Sequence, residues 1–184
     1  MGLLDSAIQE CKKALDITLR NNYEELSLTL YNLIGIIYTY TDDEQGALDY
    51  YFKGIKLATR MNDNMMCGAL FANIAFLYRK FQAYDKAIET LRMAYDIVQK
   101  ASENKMRVAF NDYVYSRELA GIELQRGQPD RAMGFLQQID NLEEHLDDTE
   151  LLIMYAAYYQ QKQNKEESLK YLKIVLEQIE KEGR

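Results

Sequence analysis

The single histidine, His145, stands among Glu143, Glu144, Asp147 and Asp148, the one place in the chain that resembles a metal site. A catalytic zinc normally collects more than one histidine or cysteine. A solvated acidic helix end is therefore the expectation there. Asp42, Asp43 and Glu44 do not follow the twelve-residue ligand rhythm of a calcium loop. Cys11 and Cys67 show no CxxC or Cys/His spacing and read as two reduced thiols in a cytosolic protein. The chain has no glycine-rich phosphate loop, no Ser/His/Asp or Cys/His arrangement, and no framed pair of carboxylates. It is not expected to be an enzyme, and no cofactor or metal is expected. Fifteen tyrosines and eight methionines remain. Tyrosines can stack on bases, and methionines such as Met61, Met65 and Met66 can form an adaptable binding surface. Most of the tyrosines, however, recur at spacings that put them between helices.

Those spacings come from helices. The 184 residues are 48% apolar and 28% charged, with one proline and nine glycines, a composition that favours an all-α protein over strands and tight turns. The net charge of −7 argues against nucleic acid, where phosphate neutralisation supplies most of the affinity. No apolar run reaches the roughly 18 residues that span a bilayer, and no secretory signal opens the chain. A membrane partner is not expected, and a cytoplasmic location is.

The helices repeat. Tyr31, Ile34, Gly35 and Tyr38 share one helical face, a polar turn follows at Thr41–Asp43, and Ala47 and Tyr51 occupy a second face. Forty residues on, the pattern returns as Phe71, Ile74, Ala75 and Tyr78, then Ala87 and Leu91. Ala7, Cys11 and Ala14 echo Ala47, Tyr51 and Gly54, so the chain opens on the second helix of a unit. Sequence pattern predicts helices over 3–19, 23–40, 45–60, 65–81, 83–101, 105–125 and 129–143, then a final pair. Asp42 or Asp43, and later Asp148 or Thr149, are the expected N-caps. Arg126-Gly127-Gln128-Pro129 reads as a glycine turn followed by proline at the first position of a helix.

A large residue, two others, Leu or Ile, a small residue, two others and Tyr, with alanine twelve residues after the small one, resembles the tetratricopeptide repeat. The third unit departs from it, with Ser116 and Glu123 at the large and tyrosine positions. The fourth has Ser168 in place of the alanine. The resemblance implies an all-α, right-handed α-α superhelix of about nine antiparallel helices. It comprises a half repeat over 1–20 and repeats over about 23–61, 64–101, 105–143 and 148–182, expected to be a fragment of a longer protein. Gly35, Ala75, Ala120 and Ala156 would let paired helices cross closely. The long period and the YNLIGIIY flavour are similar to sensory arrays of bacterial signalling proteins, which often precede a diguanylate cyclase (GGDEF) or DNA-binding module.

In such arrays the first helices line a concave face that binds a peptide or partner domain. Projected onto this sequence, that face holds Thr29, Asn32, Ile36, Thr39 and Tyr40, then Ala69, Ala72, Asn73, Phe76, Arg79 and Lys80. It continues with Val114, Arg117, Glu118 and Gly121, and with Glu150, Ile153, Ala157 and Gln160. The sharpest candidates are Asn32 and Asn73 for a peptide backbone, Ile36, Tyr40 and Phe76 for an apolar floor, and Arg79, Lys80 and Arg117 for an acidic group. The Lys/Asn carboxylate clamp of chaperone-binding members is absent, since Asn32, Ile36 and Ala72 hold those positions. Two alternatives stay open: a scaffold that self-associates, as a homodimer through its end helices, and a groove for a small molecule.

Overall fold

The computed structural model describes residues 2–101, 105–139 and 146–182, with side chains described for all of these except 105–111 and 182. Among the described residues there are nine α-helices and no strand. They are α1 (Leu3–Arg20), α2 (Glu24–Tyr40), α3 (Glu44–Met61), α4 (Asn64–Lys80), α5 (Tyr84–Ala101), α6 (Lys105–Gln125), α7 (Pro129–Leu136), α8 (Thr149–Gln161) and α9 (Lys165–Glu182). They fall into two compact units, Met1–Val108 and Ala109–Arg184.

In the first unit each helix packs on the next, and α2 also touches α4. What keeps successive helices antiparallel is a turn of constant chemistry. Asn22, Asp42, Asn62 and Gln82 all adopt the left-handed conformation, with φ of 56°, 60°, 57° and 60°. They lie twenty residues apart. The residue after each one donates its N–H back to a carbonyl of the finished helix: Tyr23 to Thr18, Asp43 to Tyr38, Asp63 to Ala58 and Ala83 to Tyr78, at 2.9–3.0 Å. That is the six-to-one bond of a Schellman ending. The same residue then accepts the first bond of the next helix, as in Ala47 N–H to Asp43 C=O at 3.0 Å. One residue thus closes one helix and opens another. Asp43 and Asp63 also cap with their side chains, accepting from the Gly46 and Met66 N–H groups at 2.8 and 2.9 Å. Of the two expected caps, Asp43 is the cap and Asp42 is the left-handed residue before it.

The core of this unit gathers Leu28, Ala47, Tyr51, Leu57, Ala58, Cys67, Leu70, Ile74 and Leu77. Gly35 is buried because the Tyr51 ring occupies the space where its side chain would be: a Cβ there would lie 2.5 Å from Tyr51 Cε1. The Thr39 hydroxyl donates to the Gly35 carbonyl at 3.0 Å, which uses its one proton. The Tyr51 hydroxyl, 3.0 Å from Thr39 Oγ1, is therefore the donor of the second bond. Ser27, Thr18 and the Leu15 carbonyl form a matching relay between α2 and α1, at 2.9 and 3.0 Å. Thr39 belongs to this interior at 1% exposure. That corrects its expected place on the open face.

The second unit uses the same grammar less regularly. Gly127 and Gln163 are its left-handed residues, at φ 72° and 59°, and Gln128 and Asn164 make the return bonds to Glu123 and Tyr159 at 2.8 Å. Pro129 stands at the start of α7 as expected. That helix ends at Leu136 rather than at Glu143, because the chain turns over residues 137–139. Ala120, Leu124, Ala132, Leu136, Ile139, Leu151 and Tyr155 form the core. Ser168 keeps the alanine position by donating its hydroxyl to the Ala156 carbonyl at 3.0 Å. Tyr155, Tyr171 and Tyr159 stack with ring centroids 5.2 and 5.8 Å apart.

Candidate functional site

Seven of the predicted residues lie on α2 and α4 in the first unit, along the seam between these helices. The seam's centre is an amide pair: Asn73 Nδ2 donates to Asn32 Oδ1 at 2.8 Å, with both residues half-buried. This bond uses one donor and one acceptor. Asn32 Nδ2 and Asn73 Oδ1 point to no other partner among the described residues. Toward the C-terminal ends of the helices, Lys80 Nζ donates to the Thr39 carbonyl at 2.7 Å and pairs with Asp42 at 2.6 Å. It also lies 5.9 Å from the centre of the Tyr40 ring. The ammonium thus satisfies a carbonyl near the end of α2 and ties α4 to the α2–α3 turn. Tyr40 is exposed, while Ile36 and Phe76 are half-buried. The Arg79 guanidinium lies over Phe76, 5.1 Å from the ring centre, a cation–π contact.

At the N-terminal end of the seam a cleft of about 540 Å³ opens between α2 and the α3–α4 turn. Glu25, Leu28, Thr29, Met61, Asn62, Asp63 and Met66 line it. Apart from Thr29, none of these belongs to the projected face. Their clue in the sequence is that the paired methionines and Met61 flank a left-handed Asn62, which brings helix ends together.

Arg117, the eighth candidate, lies in the second unit and is already engaged. Its guanidinium pairs with Asp148 at 2.6 Å, Glu118 at 3.2 Å and Glu150 at 3.4 Å. Its centre lies 5.9 Å from that of the Tyr113 ring. Asp148 caps α8 by accepting from the Leu151 N–H at 2.9 Å and also accepts from the Tyr113 hydroxyl. Burial works to raise the Asp148 carboxyl, but the Tyr113, Leu151 and Arg117 bonds outweigh it and hold the group below its ordinary value. Burial first, then the bond to Asp148, pushes the Tyr113 phenol up. The sequence places Asp148 at a solvated acidic end; its side chain is only 17% exposed. His145, Glu143 and Glu144 lie outside the described residues. Among the described residues no group of three or more His, Cys, Asp or Glu could hold a metal, and no helix is long and apolar enough to cross a membrane. Cys67 is buried and Cys11 half-buried, and both are free thiols.

The other projected positions divide. Gly121 is buried, against expectation, while Glu150, Ile153 and Gln160 are exposed. Glu123, at a tyrosine position of the repeat, is 5% exposed, with Arg126 at 3.8 Å.

The fold has clear relatives among solved structures. BtubC (BKLC) from P. vanneervenii superposes with a TM-score of 0.70 at 17% identity, over 97% of this chain and 74% of that one. A Podosopora anserina putative kinesin light chain with nearly identical TPR-like repeats gives 0.61 at 16% identity, over 98% and 89%. A single-substitution form of that kinesin light chain gives 0.64 at 18% identity, over the same shares. At these identities the likeness is one of fold: an all-α array of TPR-like repeats. No family model matches the sequence, and no curated protein matches it.

Proposed function

We propose that this chain is a non-catalytic interaction module that docks an extended peptide or a partner domain along the α2–α4 seam, through Asn32, Ile36, Asn73 and Phe76. The observation that carries the reading is the half-buried Asn32–Asn73 pair. A lone amide–amide bond between helices leaves a donor and an acceptor side by side, which is what an extended backbone offers in return. Ile36 and Phe76 supply the adjoining apolar surface, and Arg79 and Lys80 border it. In this reading the module is cytoplasmic and serves as the sensory or regulatory part of a larger bacterial signalling protein, of the kind that carries a GGDEF domain. Repeat arrays expose long surfaces suited to such a role.

A peptide array probed with the purified protein tests this. Selected peptides should lose about fivefold or more in affinity on Asn73→Ala, in line with an unpaired amide left behind, and little on Gln160→Ala. Equal binding by Asn73→Ala, or no selected peptide at all, defeats the proposal.

A second reading, a self-associating scaffold, draws on α9, where Leu169, Leu172, Leu176 and Ile179 are 39–59% exposed in one row. Light scattering over a wide concentration range separates the two. A strict monomer removes the scaffold.

A further inference from the structure

We infer that the cleft at the N-terminal end of the α2–α4 seam is a receptor for a basic side chain, lysine or arginine, of a bound peptide. This deepens the docking proposal and rests on it for the peptide, though not for the cleft's own chemistry.

The floor is apolar and pliable. Leu28 is 2% exposed, and Met61 and Met66 pack partly buried against the same core. Thioethers of this kind adapt to an unbranched aliphatic stem. The rim is acidic. Glu25 and Asp63 both face the cleft, and neither has a cation within ion-pair distance among the described residues. Asp63 spends one oxygen on the Met66 N–H and keeps the other. Glu24, next to Glu25 in the chain, is different: it is already paired with Arg60 at 2.6 Å. At about 540 Å³ the cleft has the volume of an ordinary small-ligand site, ample for one long side chain and part of its neighbours. An aliphatic stem over methionine with the charged head between two carboxylates is how lysine and arginine divide themselves between apolar and polar surroundings. A glutamate would meet only like charge, and a leucine would leave both carboxylates as they are. The overall charge of −7 adds attraction at long range.

The test uses full-length protein labelled with ¹³C at its methionine methyls, titrated with acetyl-Leu-Lys-Leu-amide and with the same tripeptide carrying arginine, glutamine or glutamate in the centre. The lysine and arginine probes should shift the Met61 and Met66 methyls while leaving Met93 and Met154 in place, and the glutamine and glutamate probes should not. The double variant Glu25→Gln, Asp63→Asn, which keeps a capping oxygen at residue 63, should weaken the lysine probe about fivefold, the scale of two half-exposed ion pairs. Equal shifts with the glutamine probe, equal shifts at Met93, or an undiminished response in the double variant would each overturn the inference. Its fate is separable from that of the seam. Failure of Asn73→Ala to weaken selected peptides removes the seam and leaves the Met61 and Met66 response standing, and loss of that response leaves the Asn73 result standing.

Discussion

Helices α3 and α9 carry the same positions of the repeat and meet different fates. Ala47, Tyr51 and Ala58 of α3 are 0–1% exposed, because α2 packs on one side and α4 on the other. The corresponding Ser168, Leu172 and Ile179 of α9 run from 7% to 56% exposed, with α8 as the described neighbour. Repeat residues are therefore not buried by their own type. Each second helix depends on a first helix before it and another after it, and its apolar surface is worth about 25 cal/mol per Å² only where both are present.

The two units also stabilise their helix contacts differently. The first relies on close crossing and hydroxyl relays, the second on a charged knot around Arg117. The largest effect should come from breaking that knot. Arg117→Ala removes the counter-charge from Asp148, whose side chain is less than a fifth exposed, and should cost about 3 kcal/mol in urea unfolding. Lowering the pH should mimic part of this. The Asp148 carboxyl is depressed in the folded chain, so its contribution is present above the ordinary value of 3.8 and is lost as pH falls through the lower folded value. Asp148→Asn, which keeps a capping oxygen, should flatten the acid limb of the stability curve below about pH 4. A limb as steep as before would show that other carboxylates carry it.

Close crossing in the first unit is the next term. Gly35→Ala sets a methyl 2.5 Å from the Tyr51 ring and should cost about 2 kcal/mol, since Tyr51 is fully enclosed and cannot withdraw. Gly134 in α7 is the control. Among the described residues nothing stands within 4 Å of a Cβ there, so Gly134→Ala should stabilise by about 0.5–1 kcal/mol through helix propensity alone. Opposite signs at two helical glycines would confirm that the first is a packing residue and the second is not. Thr39→Val comes lower, at about 1 kcal/mol, because it strands the Tyr51 hydroxyl. The measurement for all three is the shift of the urea midpoint at constant slope.

The repeat makes much of this legible. Periodicity locates eight helices closely, and the Gly35/Tyr51 crossing can be inferred from small and large residues at known offsets. What it leaves hidden are the partners of polar groups. Thr39 projects outward on a helical wheel, which does not know that a tyrosine hydroxyl from the next helix needs an acceptor. Arg117 and Asp148 are 31 residues apart, and no local pattern couples them. α7 ends early because three residues after Leu136 turn, with neither proline nor glycine to announce it. In the seam, Asn32 and Asn73 are legible one by one, but their bond to each other depends on the offset between two non-consecutive helices.

The smallest effects test the turns, and they compare the two units most directly. The six left-handed residues among those described do the same work, yet their types differ: two asparagines and an aspartate tolerate that conformation, Gly127 prefers it, and Gln82 and Gln163 do not. A long side chain in the left-handed region costs about 1 kcal/mol relative to glycine. Both glutamines are exposed and no hydrogen bond of their side chains accounts for the choice. Gln82→Gly and Gln163→Gly should each stabilise by about 0.5–1 kcal/mol, the strain relieved less the added freedom of the unfolded chain. Asn62→Gly should change little, because asparagine already accepts the turn. If Gln82→Gly gains and Gln163→Gly does not, the Schellman ending limits stability in the first unit only. The second unit is then governed by the Arg117 knot, and a double variant of Gln163→Gly with Arg117→Ala should show no more than the loss from Arg117.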